Sequence, residues 1–509
     1  MFKKRYILIG LLWISTLPGC KKDFLEKVPQ AAVTDENYYK SAQDLINAIN
    51  AAYDPIGWET DRKGQIYANL FLFGDVVSDD AIKGGSGTSD IPDFHALETF
   101  TGNAGLPALL LPWQRNYTGI YRANIVIEKA PLSNADEAIK NRVINEAKFL
   151  RAYYHFELVK MYGDVPLITK VLGANDYDQG RTPKEDVYKQ IEADLKDASA
   201  LPEKGSIEIG RATRGAALAL LARVQMYQTR TNPAKWSEVL SNAELVINSK
   251  VYDLEENYAD IHTVEKENGI ESIFEIQSTP KVAGSGGDNN SDWSNGNEGT
   301  LINVMFRGRD NGGWGFNCPT LDLLDEFKKE KTVDGKDDPR LKATIIQDGD
   351  TVFNEVYKAD INVYPYTGTY CRKYVEPMDI FKLGLNQSDG PSNYRLIRYA
   401  DVLLMAAEAA NELGLTDKAL AYLKDVRDRV NMPEVTETNK ERLREIIWRE
   451  RRVELALEGH RFFDIVRQGR AKEIMSKTYT FADAQEVFPI PQAEIDMSRG
   501  KISQTIGLK

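Results

Sequence analysis

Apolar residues recur every three or four positions at both ends of the chain, and this spacing restricts the fold more than any other feature. From Asn141 to Tyr162 it gives a long helix one apolar face, and Gly163 follows where that helix should end. Arg211 to Thr229 carries a stripe of small residues at helical spacing, which lets a second element approach closely. The pattern predicts a mainly α fold.

Other segments extend this pattern. Capping boxes predict helix starts at Thr182, with Glu185 reaching back, and at Thr438, with a helix running to about Glu458. Leu396–Leu413 and Thr416–Val430 are two predicted helices whose connection is so short that they must pack antiparallel. Such hairpins resemble tetratricopeptide-type repeats of about 34 residues. We expect this helical scaffold over about 35–250 and 396–475.

The region of about 251–395 has a different texture, with short β-type runs such as Ser272–Ile276 between loops. The loop Gly284–Gly299 contains almost no apolar residue except Trp293. A second irregular stretch, Phe71–Trp113, includes the glycine-rich segment Lys83–Ser89. Long loops in compact proteins are usually functional or disordered. We therefore expect a partly β, loop-rich insertion that carries the ligand site.

The N-terminus predicts export. Three basic residues precede a short apolar stretch, Tyr6–Leu17, which is too short to cross a bilayer stably. The segment ends at Cys20 in Leu-Pro-Gly-Cys, which resembles the bacterial lipobox whose cysteine is diacylated. We expect a signal peptide over 1–19, lipidation at Cys20, an anchor and tether over 20–34, and a single domain over 35–509.

Composition and motifs exclude several classes of function. The 509 residues carry a formal net charge of −12, which argues against nucleic-acid binding, and four histidines argue against a histidine-rich metal site. The chain has no run of about 20 apolar residues, so a helix-bundle transporter is not expected. Hydrolase, phosphate-binding and zinc motifs are missing, so neither catalysis nor a cofactor is expected. Calcium is not supported, because Asp334, Asp337 and Asp338 lack EF-hand spacing.

Cys318 and Cys371 fit a disulfide or two thiols equally well.

Several separated motifs resemble the SusD/RagB family, in the family's order along the chain: Cys20–Glu26, Phe149–Ile168, Arg398–Glu412, Arg449–Gly469 and Phe488–Asp496. The resemblance implies a mostly helical, non-catalytic lipoprotein exposed on the outer membrane of Bacteroidetes-type bacteria. It also implies a partner, a TonB-dependent outer-membrane transporter (SusC-like), to which the lipoprotein delivers a captured oligosaccharide or polysaccharide. Glucan-binding relatives commonly carry aromatic residues in the loop corresponding to Lys83–Ser89. This chain has none there, which argues against a starch-type ligand.

A glycan binder needs exposed aromatic rings flanked by planar polar groups. Trp113, Tyr117 and Tyr121 recur at helical spacing and are expected in the core, whereas the position of Trp58 is left open. Polar and glycine-rich surroundings single out other residues, and the predicted ligand-binding set is Trp293, Trp314, Asp292, Asn295, Arg307, Asn317, Asp93 and His95.

Two alternatives stay open. A peptide-binding member of the same family would use the same loops. A tetratricopeptide-type adaptor would instead grip a protein with its concave helical face, the face that docks the transporter in the favoured interpretation.

Overall fold

The computed structural model describes residues 38–59, 70–174, 176, 179–280, 299–358, 367–382 and 389–508. The signal peptide, Cys20 and the tether lie outside this part of the chain, as do Asp292, Trp293 and Asn295. Within it, no helix has the length and apolar character that a membrane span requires. Helices predominate, and their order confirms the mainly α prediction.

Seven helices precede the loop-rich region in the described residues: α1 (Ala42–Tyr53), α2 (Pro92–Glu98), α3 (Pro107–Lys129), α4 (Glu137–Tyr162), α5 (Lys184–Ala198), α6 (Arg214–Met226) and α7 (Trp236–Asn248). Consecutive helices pack side by side from α3 to α7. The small-residue stripe allows a close approach, since a Cβ at Gly215 would lie 2.4 Å from the Tyr252 hydroxyl.

Ten helices follow: α8 (Ile302–Phe306), α9 (Leu321–Lys328), α10 (Pro339–Thr344), α11 (Met378–Phe381), α12 (Tyr399–Glu412), α13 (Thr416–Asp428), α14 (Lys440–Glu454), α15 (Arg461–Arg467), α16 (Ala471–Met475) and α17 (Gln492–Met497). The pair α12–α13 forms the predicted antiparallel hairpin and also packs on α7. Helices from both ends of the chain therefore build one scaffold.

The strands are short and antiparallel: β1 (Ala81–Gly84), β2 (Ser272–Ile276), β3 (Phe316–Pro319), β4 (Ile345–Gln347), β5 (Thr351–Val352), β6 (Glu355–Val356), β7 (Thr369–Cys371) and β8 (Tyr394–Arg398). They pair two by two as β1–β3, β2–β8, β4–β7 and β5–β6. Strand β2 confirms the predicted run at Ser272–Ile276. Cys318 on β3 and Cys371 on β7 are both buried thiols, and no disulfide joins them.

Three local predictions were wrong. Leu396 does not start a helix, because the segment up to Arg398 pairs with β2 as a strand. The capping box at Thr182 does not form; the Asp164 carboxylate instead accepts the Lys184 N–H at 2.9 Å. The cap of α14 is Asn439, one residue beyond the predicted position. In each case a neighbouring polar group or strand competes with the local pattern.

A buried ion-pair network surrounds α14 and the residues after it. Arg398 contacts Glu454, Glu458 and Glu271, and all four side chains are buried. Arg340 binds Glu450 and Glu454 on the same helix. Buried charges are tolerated only when they are paired and hydrogen-bonded. These charges therefore fix the position of the C-terminal helices instead of forming a solvated face.

Candidate ligand-binding site

Trp314 lies in the loop between α8 and β3. Its backbone N–H donates to the Val304 carbonyl at 2.8 Å, which folds the loop back onto α8. The indole is half-buried, packs against the core and meets the Phe316 ring edge-on at a centroid distance of 6.5 Å. Trp314 thus has an anchored side and a solvent-accessible side, as a stacking platform requires.

Arg307 and Asn317 bracket this loop, but the structure places both beneath the surface. Arg307 is 1% exposed; its guanidinium lies 4.7 Å from the Phe381 ring and pairs with Glu355. Asn317 is fully buried, and its Nδ2 lies 3.4 Å from Asp75 Oδ2. Direct ligand contact by Arg307 and Asn317 stays a prediction, and in this conformation both side chains are buried in the core. They support the loop that carries Trp314.

The glycine-rich segment after β1 lies against the Trp314 loop. Gly84 pairs with Phe316 across the β1–β3 ladder, and the Gly85 N–H donates to the Gly315 carbonyl at 2.7 Å. A side chain is excluded at Gly84, since its φ is +76° and a Cβ would lie 2.2 Å from the Gly315 oxygen. The backbone of this segment thus forms one wall beside Trp314.

Lys83 supports that wall from below. It is fully buried, although lysine is almost never so without a partner. Its ammonium donates to the Gly87 carbonyl at 2.6 Å and to the Asp90 carbonyl, and it lies 5.7 Å from the Phe316 ring. Burial lowers the pKa of Lys83. The lysine therefore holds the segment by hydrogen bonds to backbone oxygens.

Asp93 and His95 lie on α2, next to the same wall. The residue between them, Phe94, meets Phe316 at a centroid distance of 6.0 Å. Asp93 Oδ2 accepts the Ala108 N–H at the start of α3, and His95 Nδ1 lies 3.4 Å from Glu98. Phe94 therefore ties α2 to the strand that follows the Trp314 loop, and the His95 side chain is 31% exposed.

A small cleft of about 70 Å³ opens between the end of α1 and the loop-rich region. Trp58 and Tyr394 are aromatic residues in its lining, and Ile56, Leu70, Ile276 and Ile302 are aliphatic ones. Its polar side chains are Asp54, Glu59, Arg115, Gln277, Ser278 and Thr300. An aromatic ring with several convergent polar groups is the usual composition of a small-ligand site.

Trp58 and Glu59 are fixed by contacts from α3 and from the residues just before α8. Arg115 on α3 donates to the Trp58 carbonyl at 3.1 Å, and the Arg122 guanidinium lies 5.3 Å from the Trp58 ring centroid. Glu59 accepts the Thr300 hydroxyl at 2.8 Å and the Leu301 N–H at 2.6 Å. Burial raises the pKa of Glu59 to about 7, although these hydrogen bonds act in the opposite direction.

The cleft and the Trp314 loop share one helix. Thr300 and Ile302 line the cleft, and two residues further along α8 the Val304 carbonyl holds Trp314. Helical spacing predicted core positions for Trp113, Tyr117 and Tyr121. Trp113 is buried and Tyr117 is half-buried, but Tyr121 is 50% exposed, so its predicted core position is wrong.

Sequence reasoning missed Glu59 and Arg115. Spacing gave no signal for either, since Arg115 lies two positions after Trp113 and therefore on the opposite side of the helix.

The described residues contain no cluster of three or more His, Cys, Asp or Glu side chains suited to a metal ion. The adjacent carboxylates Asp79 and Asp80 are paired with arginines: Arg461 Nε lies 2.7 Å from Asp79 and Arg452 Nε lies 2.7 Å from Asp80. Burial raises the pKa of Asp79, but the two arginines outweigh it and hold the pKa below its ordinary value. Asp79 and Asp80 therefore act as structural anions.

The chain combines a scaffold of helical hairpins with a loop-rich insertion, and a cleft of aromatic and polar residues lies beside that insertion. These features define a class of helical proteins whose candidate ligand site lies in the loops. Two family models match this chain: one described as "SusD family" over residues 270–507, and one described as "Starch-binding associating with outer membrane" over residues 23–226. The chain belongs to the SusD family.

Relatives cover nearly all of the chain. SusD-like protein P2 of Formosa agariphila is 28% identical over 492 residues, 92% of each chain. A solved "Laminarin binding SusD-like protein" is 31% identical, with a TM-score of 0.78 over 92% of this chain and 100% of its own. Surface glycan-binding protein A from Bacteroides thetaiotaomicron, in complex with laminarihexaose, is 26% identical, with a TM-score of 0.77 over 92% and 100%.

Proposed function

We propose that this protein captures a glycan at the cell surface and delivers it to a TonB-dependent outer-membrane transporter, without catalysis. The observation that carries the proposal is the 31% identity, over 92% of the chain, to a solved protein named as laminarin-binding. The cleft lined by Trp58, Glu59 and Arg115 supports it, because ring and planar polar groups match the two kinds of surface on a sugar.

The proposed ligand class is a laminarin-type glucan. Two relatives carry laminarin or laminarihexaose in their names, and this chain has their fold. The wall beside Trp314 consists of glycine backbone, which leaves that ring accessible without a second aromatic residue on the Lys83–Ser89 side. In this proposal Trp58 and Trp314 stack on sugar faces, while Asp93 and His95 contact hydroxyl groups.

Anchoring and delivery form the second part of the proposal. The lipobox at Cys20 and the 20–34 tether would hold the domain over 35–509 at the membrane, since several acyl chains together anchor stably. The description of the N-terminal family model, with its association with the outer membrane, supports this location. Co-purification of a TonB-dependent transporter with the tagged lipoprotein from its native membrane tests the partnership. Recovery of the lipoprotein without any transporter would contradict it.

Calorimetric titration of the mature protein with laminarin, laminarihexaose and maltohexaose tests ligand binding. Trp58→Ala should weaken laminarihexaose binding by about 2 kcal/mol, which is about thirtyfold, because stacking residues at the centre of a site carry most of the affinity. The matched control is Trp236→Ala on α7, a half-buried tryptophan within the helical scaffold, which should bind normally. Binding of a peptide mixture with no glycan binding would favour the peptide alternative and refute this proposal.

A further inference from the structure

The hairpin formed by β5 and β6 turns through Phe353 and Asn354, both of which have positive φ, at +50° and +64°. Asparagine and glycine are favoured in such a two-residue turn, whereas a bulky side chain in this backbone region is strained. Phe353 is also 38% exposed, so burial of the ring does not offset the strain. The geometry of the turn itself gives no reason for a phenylalanine at this position.

The Phe353 ring is nevertheless held in place. The Arg372 guanidinium carbon lies 4.4 Å from the ring centroid, and Arg372 Nη1 donates to the Val375 carbonyl at 2.8 Å. The guanidinium covers one face of the ring, which leaves the other face and the edge as the exposed part. Thr351 and Asn354, both exposed, place polar groups beside it. An ordered ring with polar neighbours is the arrangement that stacks on a sugar.

The hairpin is tied to the loop that carries Trp314. Arg307 pairs with Glu355, and Asn311 Nδ2 donates to the Val356 carbonyl at 3.3 Å. Asn311 precedes Trp314 by three residues, and Phe353 precedes Val356 by three. Because three residues extend at most about 11 Å, the two ring-bearing residues lie within roughly 25 Å of each other. The segments that carry Phe353 and Trp314 are therefore joined by direct contacts, which limit how far apart the two residues lie.

We infer that Phe353, stacked on Arg372, is a distal contact for long glycan chains that are already bound at Trp58 and Trp314. The inference rests on the proposed function and adds a chain-length preference to it. In this inference the contact at Phe353 is added only when the bound chain extends beyond the two tryptophans, and affinities for short and long glycans measure that gain. The contribution of Phe353 to polymer binding then accounts for the strained backbone at the turn.

Phe353→Gly separates this role from a structural one, because glycine removes the ring and also relieves the positive φ. We expect an equal or higher thermal midpoint, a five- to thirtyfold weaker affinity for laminarin, and an unchanged affinity for laminaritriose. Phe353→Tyr keeps the ring and should retain the wild-type affinities. Val356→Ala, which truncates an exposed aliphatic residue on the same hairpin, is the matched control and should change neither affinity.

Equal laminarin affinity in Phe353→Gly and wild type would overturn the inference, as would a lowered thermal midpoint with both affinities reduced together. Trp314→Ala should weaken laminarin and laminaritriose alike, which distinguishes the primary site from the distal contact. Wild-type protein that binds neither ligand would refute the proposed function, and this inference with it.

Discussion

Glu59→Gln tests how far burial in the cleft shifts a carboxyl group. The pKa of Glu59 is raised from 4.5 to about 7, so the folded protein holds a proton that the unfolded chain releases. For a raised carboxyl pKa the stabilisation is complete below pH 4.5 and is lost as the pH rises through 7. Glutamine resembles the protonated acid, and it keeps an oxygen for the Leu301 N–H and an amide for the Thr300 hydroxyl.

The magnitude follows from the two pKa values. Between pH 5 and pH 8 the ionisation of Glu59 lowers the free energy of unfolding by about 2.5 kcal/mol when the full pKa shift is used. Because solvent screens this half-buried carboxyl, the expected loss falls to about 1 kcal/mol. Urea unfolding of both proteins at pH 5 and pH 8 measures the difference. We expect near-equal stability at pH 5 and a more stable Glu59→Gln protein at pH 8. A difference between the two proteins that does not change with pH would refute the reasoning.

Two further substitutions test supports outside the cleft. Lys83→Met removes the donor to the Gly87 and Asp90 carbonyls, so backbone amide exchange after Gly84 should accelerate and laminarin affinity should fall about tenfold; unchanged exchange would contradict the role of Lys83. Arg398→Met leaves three buried carboxylates without this cation and should cost about 3–5 kcal/mol in thermal unfolding, whereas a loss below about 1 kcal/mol would show that its carboxylate partners are compensated elsewhere.

Much of the helical scaffold could be predicted from the sequence, because apolar spacing and end signals act locally. Helix α4 ends at Tyr162, before Gly163, as predicted. The failures arise where distant segments compete: the run from Leu396 to Arg398 has helical spacing but becomes a strand, because β2 offers a ladder 120 residues away in sequence. Local periodicity carries no information on such a partner.

The sequence could indicate one part of the candidate site, the Trp314 loop, but not the cleft lined by Glu59 and Arg115. Because a ring that stacks on a sugar must be exposed, the sequence indicated the loop of Trp314, and the structure places this tryptophan half-buried at the surface. Arg307 and Asn317 looked equally polar and accessible, yet Glu355 and Asp75, which are far away in sequence, draw them inward. The role of Glu59 depends on the backbone of Leu301, and no motif in a single sequence indicates such a contact.

The wall beside Trp314 depends on the last part of the chain to be synthesised. Asp75, just before β1, accepts the Gly459 N–H at 2.9 Å, and Asp79 pairs with Arg461, across 384 and 382 positions. A nascent chain that has not yet delivered residue 461 leaves both carboxylates without these partners, and closing such long loops is slow. The ligand face should therefore mature last during biogenesis, and premature termination before residue 459 should yield no partial receptor.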